Sequence, residues 1–181
     1  KSNDRVLLEF IDVTDNDIIV IVELILKKEL IPYIIIKSNN LYSKINNLYS
    51  ANDFKTIGNS ELTFLKNSVA LIGFRAIQNQ YDILQISDNQ LNLMLENYLT
   101  PVHYNYRNNN LKWLYFRIPT QALAQNSKMS FTKFNNYYKE ALFINYNKLL
   151  SQANLIERLL LDCNDIRVFS TNGTDLTFSI K

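Results

Sequence analysis

Short apolar runs alternate along this chain with longer stretches in which apolar residues recur every three or four positions. The short runs predict β-strands, and the longer stretches predict amphipathic helices. Six strands are predicted, at 5–10, 33–36, 69–74, 113–118, 166–169 and 176–180. The Asn172-Gly173 step between the last two runs is typical of a hairpin turn. The alternation predicts an α/β fold, a three-layer sandwich around a mostly parallel sheet, with a C-terminal strand pair.

The helices predicted between these strands cover 15–30, 41–49, 61–66, 88–100, 130–146 and 147–161. Thr14 followed by Asp17 has the form of a capping box, which marks the start of the first helix. Pro32 is expected to stop that helix, and the strand after it is expected to be buried. Pro101 is likewise expected to lie beyond the end of the helix that opens at Asp88, which leaves the following residues in a loop. Because no internal repeat, linker or charge block is present, the pattern predicts a single domain over residues 1–181.

Glycine, histidine and cysteine are scarce in this sequence, which has three Gly, one His and one Cys. The glycines lie far apart, so neither a dinucleotide fingerprint nor a phosphate-binding loop is present. Structural zinc sites take most of their four ligands from Cys and His, so any metal held by this chain alone would depend on carboxylates. A single Cys also forbids an internal disulfide. The cytoplasm is therefore the expected compartment.

The charges are nearly balanced, with 19 basic and 17 acidic residues and a formal net charge of +2. The lysines are scattered rather than aligned in a stripe, so no nucleic-acid partner is expected. The most apolar stretch, 18–36, is interrupted by charged residues and by Pro32, so it lacks the ~20 uninterrupted residues of a membrane span. The aromatic stripe within 130–146 has no cluster of basic residues beside it, which favours packing against a sheet over stacking on bases.

Three residues are candidates for chemistry on their side chains alone. His103 is the only imidazole and would be the obvious general base or metal ligand, although a lone His in a loop is more often a surface or capping residue. Cys163 has no neighbouring Cys or His to activate it, which favours a structural thiol over a nucleophile. Asp175 follows the hairpin turn and can be either a turn residue or a site residue. These residues indicate an α/β domain without a self-sufficient active site.

Two segments in the later half share an order and spacing that periodicity does not explain. The first runs from Trp113 through Pro119-Thr120 to Met129-Ser130 and Phe134, and the second, at 173–180, reads G-T-D-L-T-F-S-I. The first resembles the pattern W-x(5)-P-T-x-A-x-A-Q-x(3)-M-S-x(3)-F of the thermophilic metallo-aminopeptidase family, the aminopeptidase T type, and the second resembles that family's G-T-D-L-T-F-S-I segment. The opening K-S-N-D-R-V is similar to that family's K-x-G-D-x-V, with Asn3 in place of Gly.

The resemblance implies the N-terminal domain of a two-domain, metal-dependent exopeptidase, usually dimeric, that removes N-terminal residues from peptides. Its implied partners are the peptide substrate, a C-terminal catalytic domain expected beyond Lys181, and a second copy. The implied Glu, His and Asp ligands of Zn, Co or Mn, and a catalytic Tyr, lie downstream of the G-T-D-L segment, so no catalytic or metal residue is assigned here. Residues expected to contact the cavity or the second domain are His103, Pro119, Thr120 and Asp175. The alternative is a free-standing interaction or small-ligand-binding module without peptidase activity.

Overall fold

The computed structural model describes residues 3–79, 81–82 and 86–180. The chain forms two compact units, Lys1–Asn135 and Asn136–Lys181. The first unit contains a parallel sheet with helices on both faces, and the second contains a long helix and an antiparallel strand pair.

A four-stranded parallel sheet, with the order β2-β1-β3-β4, forms the centre of the first unit. Its strands are β1 (Arg5–Ile11), β2 (Ile31–Lys37), β3 (Ala70–Arg75) and β4 (Lys112–Arg117). Each strand begins and ends within two residues of the apolar run that predicted it. The strand order reverses between β1 and β3, because β1 pairs with β2 on one side and with β3 on the other. The predicted α/β architecture is therefore confirmed.

The described parts of the chain contain nine helical segments. In chain order they are α1 (Asp15–Leu26), α2 (Asn39–Asn46), α3 (Ala51–Lys66), α4 (Asp88–Met94), the π-helical segment (Leu95–Arg107), α5 (Asn108–Asn110), α6 (Gln121–Asn126), α7 (Phe131–Leu142) and α8 (Tyr146–Leu161). Alternate residues of a strand point to opposite faces of the sheet. Accordingly, Leu8 and Phe10 of β1 pack with Ile18 of α1 in one core cluster. Leu7 packs with Phe54 of α3 in the other.

The strand β2 differs from its prediction because it lies at an edge of the sheet rather than being buried. Its Ile34 and Ile36 are 45% and 63% exposed. Pro32, expected to precede the strand, is its second residue. Proline is tolerated in an edge strand, where one side makes no ladder hydrogen bonds. The preceding helix ends at Leu26, and Glu29, with a φ of 57°, turns the chain toward β2.

The helix that opens at Asp88 does not end before Pro101. It continues from α4 into the π-helical segment, which contains Pro101, and then into the short α5. Proline lacks the N–H that a helix bonds to a preceding carbonyl, so the helix passes through Pro101 with one backbone hydrogen bond missing. Tyr98, Val102 and His103 therefore lie on helical turns and are buried. The expected loop around His103 is wrong.

The second unit contains α8 and the antiparallel pair β5 (Asp165–Phe169) and β6 (Asp175–Ser179). Gly173 between the two strands has a φ of 96°, a backbone conformation that glycine adopts without a steric penalty. Its N–H donates to the carbonyl of Ser170 at 3.2 Å. The predicted C-terminal strand pair is thus confirmed, with its turn at Gly173.

Candidate functional site

The last residues of the four parallel strands form one row across the carboxyl edge of the sheet. Ile11 of β1 pairs in register with Lys37 of β2 and with Arg75 of β3. Arg75 pairs in turn with Arg117 of β4. Since residues in one row of a parallel sheet project to the same face, three basic side chains are presented together at this edge.

A cavity of about 580 Å³ opens at the same edge. Its walls are formed by this row, by Glu9 and Tyr115 two residues earlier on their strands, and by residues of α2 and of the π-helical segment. Open α/β sheets bind ligands beyond the carboxyl ends of their strands, where the strand order reverses. A volume of about 300–1,000 Å³ is usual for a small-molecule pocket. Position and size both fit a ligand-binding cavity.

A buried cluster of polar groups forms one wall of the cavity and the region behind it. Nζ of Lys37 donates to Oε1 of Glu9 at 2.6 Å, to Oε2 of Glu61 at 3.1 Å and to the hydroxyl of Tyr98 at 3.2 Å. That hydroxyl donates to Oε2 of Glu61 at 2.5 Å. An ammonium group has three N–H donors, so the three contacts use all of them.

The buried ammonium of Lys37 and the carboxylate of Glu9 hold each other in the charged form. Burial alone would raise the pKa of Glu9, but the positive charge of Lys37 and its hydrogen bond lower it below the ordinary value. Burial would likewise lower the pKa of Lys37, and the charges of Glu9 and Glu61 raise it instead. Burial raises the pKa of Tyr115 to about 12, with the charge of Glu9 acting in the same direction. At neutral pH, Lys37 and Glu9 are therefore an ion pair beside an uncharged tyrosine.

His103 lies beside this cluster, packed edge-on against the ring of Tyr98. Its Nε2 is 3.5 Å from Oε1 of Glu61, and its Nδ1 is 3.4 Å from Nη1 of Arg107. Burial lowers the pKa of His103, and the negative charge of Glu61 only partly offsets this effect. The imidazole is therefore uncharged at neutral pH. One of its nitrogens faces the carboxylate of Glu61, and the other faces the guanidinium of Arg107.

Tyr115 lies flat over Gly73 of the neighbouring strand, to which it is paired in register. A methyl group at Gly73 would lie 2.0 Å from Cε1 of Tyr115, so only glycine leaves room for the ring. The guanidinium of Arg75 lies 4.3 Å from the centroid of this ring, and that of Arg107 lies 5.4 Å from it. Arg107 also lies 4.6 Å from the ring of Trp113. These aromatic rings position two guanidinium groups at the cavity.

Two other residues singled out by sequence, Pro119 and Thr120, are not among those that line the cavity. Thr120 is buried, donates from Oγ1 to the carbonyl of Ile77 at 2.6 Å, and caps α6. Pro119 precedes that cap, between β4 and α6. In the second unit, Asp175 accepts two hydrogen bonds from Arg167, both at 2.9 Å.

The thiol of Cys163 and the aromatic stripe of α7 have simpler surroundings. The thiol donates to the carbonyl of Leu159 and is partly buried. In α7, Phe134 is buried, whereas Phe131 and Tyr137 are 37% and 59% exposed.

Of the residues named from the sequence, only His103 and Trp113 line the cavity. The sequence did contain a signal for three others, since Lys37 and Arg75 each follow an apolar run directly and Arg117 is the basic residue near the end of the run at 113–118. Basic residues at the ends of three parallel strands predict a positive edge, because the carboxyl ends of such strands meet there. Glu9 offered a weaker signal as the one acidic residue inside an apolar run. Glu61 and Tyr98 lie on amphipathic helices and carried no signal.

We expect the stability of the protein to fall as the pH is lowered from 7 to 5.5. The reference pKa of an unfolded histidine is about 6.5, and burial places the folded value of His103 below it. In this window the unfolded chain binds more protons than the folded one, so unfolding becomes easier by at most about 1.4 kcal/mol per pH unit. Urea denaturation at half-unit pH steps measures the slope.

This chain has one histidine, so the window between pH 7 and 5.5 reports on that imidazole. A His103→Gln variant serves as the control and should show a flat profile there, whatever its absolute stability. A wild-type free energy of unfolding that stays constant between pH 7 and 5.5 would contradict the burial of a neutral His103.

Fold and cavity together define an α/β domain with an open parallel sheet and a ligand-sized cavity at its carboxyl edge. No family model matches the chain, and no curated protein sequence matches it. None of the helices in the described ranges is both long and apolar enough to cross a membrane. Among residues 3–79, 81–82 and 86–180, no group of three or more His, Cys, Asp and Glu side chains could hold a metal ion.

Proposed function

We propose that this chain is the non-catalytic N-terminal part of a cytoplasmic, metal-dependent aminopeptidase that removes N-terminal residues from peptides. The observation that carries the proposal is the segment Gly173–Ile180, which resembles the G-T-D-L-T-F-S-I segment of the aminopeptidase T type without a substitution. The more extended Trp113 to Phe134 pattern precedes it in the order that the family requires. In this role the domain shapes the substrate cavity and contributes to a dimer.

Local structure gives several of these motif residues a physical role that is compatible with the proposal. Thr120 ties the end of β4 to the segment after β3 through its bond to Ile77. Asn3 has a φ of 67°, the left-handed conformation that suits the Gly of the family pattern. Asp175 and Arg167 join the two strands of the hairpin through a bidentate ion pair. These motif residues thus stabilise turns and strand ends, which is a structural role compatible with a fold shared with that family.

Divalent metal belongs to the proposed parent enzyme and not to the residues described here. The described side chains do not fit a two-metal site, because such a site needs several carboxylates and imidazoles grouped together. Glu9 and Glu61, the carboxylates at the cavity, are already bonded to Lys37. No step of peptide hydrolysis is therefore assigned to this chain.

The test has two parts, the sequence of the gene beyond this chain and the peptidase activity of the purified protein. Reading the gene beyond the codon for Lys181 should reveal a second half with Glu, His and Asp ligands. The protein purified from its own cells should release N-terminal residues from peptides, lose that activity in EDTA and regain it with Zn, Co or Mn. The 181-residue chain alone should show no turnover with any of the three metals. A downstream half without such ligands, or hydrolysis by the 181-residue chain, would overturn the proposal.

A second candidate function is a free-standing α/β module that binds a small ligand. The specific observation in its favour is the cavity of about 580 Å³ at the carboxyl edge of the sheet. This reading gains support if the natural gene ends near Lys181, and it loses support if the gene continues into a catalytic half.

A further inference from the structure

We infer that the cavity at the carboxyl edge of the sheet binds a small organic anion, whose carboxylate or phosphate group is held by Arg75, Arg107 and Arg117. The apolar body of that anion would lie against aromatic side chains of the lining, such as Trp113 or Tyr104. The inference deepens the second candidate function by naming its ligand class. It does not depend on the peptidase proposal.

The balance of charges at the cavity is the first argument for an anion as ligand. Four basic side chains, Lys37, Arg75, Arg107 and Arg117, line it, together with the carboxylate of Glu9. Glu9 is bonded to Lys37, and so is Glu61 behind it. These two carboxylates share one buried ammonium and together with it carry one formal negative charge, which the three positive charges of the arginines exceed.

The arginines find no carboxylate within the described part of the chain. The hydrogen-bond partners of Arg107 are uncharged: the hydroxyl of Tyr115 at 3.2 Å, the side-chain oxygen of Asn108 at 3.1 and 3.2 Å, and Nδ1 of His103 at 3.4 Å. The guanidinium of Arg75 packs on the ring of Tyr115. Like charges that are held close together repel, and a bound anion relieves that repulsion. An arginine fork also matches the geometry of a carboxylate or phosphate group.

Two of the three guanidinium groups, those of Arg75 and Arg107, are held in place before a ligand arrives. Arg75 and Arg107 both lie on the ring of Tyr115, and Arg107 also lies on the ring of Trp113. Tyr115 is in turn seated over Gly73. Pre-organised donors lose less conformational freedom on binding than free side chains do. The arrangement therefore favours a specific anion site over a diffuse positive surface.

Size and lining indicate an organic anion rather than a bare ion. The cavity holds about 580 Å³, which is far more than one phosphate group fills. Its walls include Leu99, Met94 and Ile86 in addition to the aromatic side chains. An apolar body attached to the anionic group would remove these surfaces from water.

The chain provides its own reporter for the test, because Trp113 is its single tryptophan and lines the cavity. The 181-residue protein is titrated with phenyl phosphate, benzoate, inorganic phosphate and the uncharged benzamide, with Trp113 fluorescence and calorimetry as readouts. We expect saturable binding of phenyl phosphate or benzoate that weakens as salt is raised. The tighter of these two probes identifies the anionic group. Inorganic phosphate lacks the apolar body, and benzamide lacks the anionic group. Each of them should therefore bind at least about tenfold more weakly.

The Arg117→Met variant removes one exposed guanidinium and should weaken binding of the tighter probe about 10- to 100-fold. Lys112→Met is the matched control, since it removes the same charge at the start of the same strand, outside the cavity. Equal binding by these two variants would overturn the assignment of Arg117. Benzamide binding as tightly as the anions, inorganic phosphate binding as tightly as phenyl phosphate, or no response to any probe would overturn the inference. None of these outcomes bears on whether the parent protein is a peptidase.

Discussion

Replacing Lys37 with Met is expected to lower the free energy of unfolding by about 3–5 kcal/mol. The side chain of Lys37 is only 9% exposed, and its ammonium contacts Glu9 and Glu61, whose side chains are 4% and 7% exposed. Methionine keeps most of the apolar stem but leaves two buried carboxylates without a cation. Removing one partner of a buried ion pair costs far more than the pair itself contributes, because the remaining charge stays buried. Urea denaturation followed by circular dichroism measures the loss.

Two further variants separate the ion cluster from ordinary packing. Lys112→Met is the control at an exposed position, and its effect should stay within about 0.5 kcal/mol. Glu9→Gln combined with Lys37→Met should cost less than the sum of the two single changes, by about 0.5–3 kcal/mol. If Lys37→Met proves no more costly than Lys112→Met, the buried cluster is not a source of stability.

The strands of this fold could be predicted because each is a short apolar run with a clear break on either side. β1 has five consecutive buried residues, and periodicity alone located it to within one residue. The position of β2 at the edge could not be predicted, since Ile34 and Ile36 look as apolar as the residues of a central strand. Burial depends on which strand pairs on each side, and that is set by the topology of the whole sheet.

The candidate site was less predictable because its groups come from distant parts of the chain. Glu61 lies 24 residues from Lys37, and Tyr98 lies 61 residues from it. Two of the groups, Tyr98 and His103, are positioned by a helix that continues past Pro101, where helix-ending rules predict a stop. A local rule was overridden there by the packing of Tyr98 and Val102 against Phe54 of α3 in the folded core. The basic ends of three strands were the part of the site that the sequence could indicate.

Replacing Gly73 with Ala is expected to destabilise the first unit by about 1–3 kcal/mol, in spite of the usual benefit of Ala over Gly in a strand. The new methyl group would lie 2.0 Å from Cε1 and 2.1 Å from Cδ1 of Tyr115, so the ring must move away from its position over residue 73. That ring is held between Arg75, Arg107 and the strand beneath it, so its displacement disturbs the wall of the cavity. Trp113, whose ring centroid is 5.8 Å from that of Tyr115, should report the change as an altered fluorescence spectrum.

A double-mutant cycle with Tyr115→Ala identifies the cause of this loss. Removing the ring also removes the three atoms that would lie nearest to the new methyl group, because all three belong to Tyr115. Gly73→Ala should then be neutral or stabilising by up to about 1 kcal/mol, since it reduces the freedom of the unfolded chain. The two changes would thus be strongly non-additive, as expected for residues in direct contact. If Gly73→Ala costs the same with and without Tyr115, the seat of the ring on Gly73 does not determine the cavity wall.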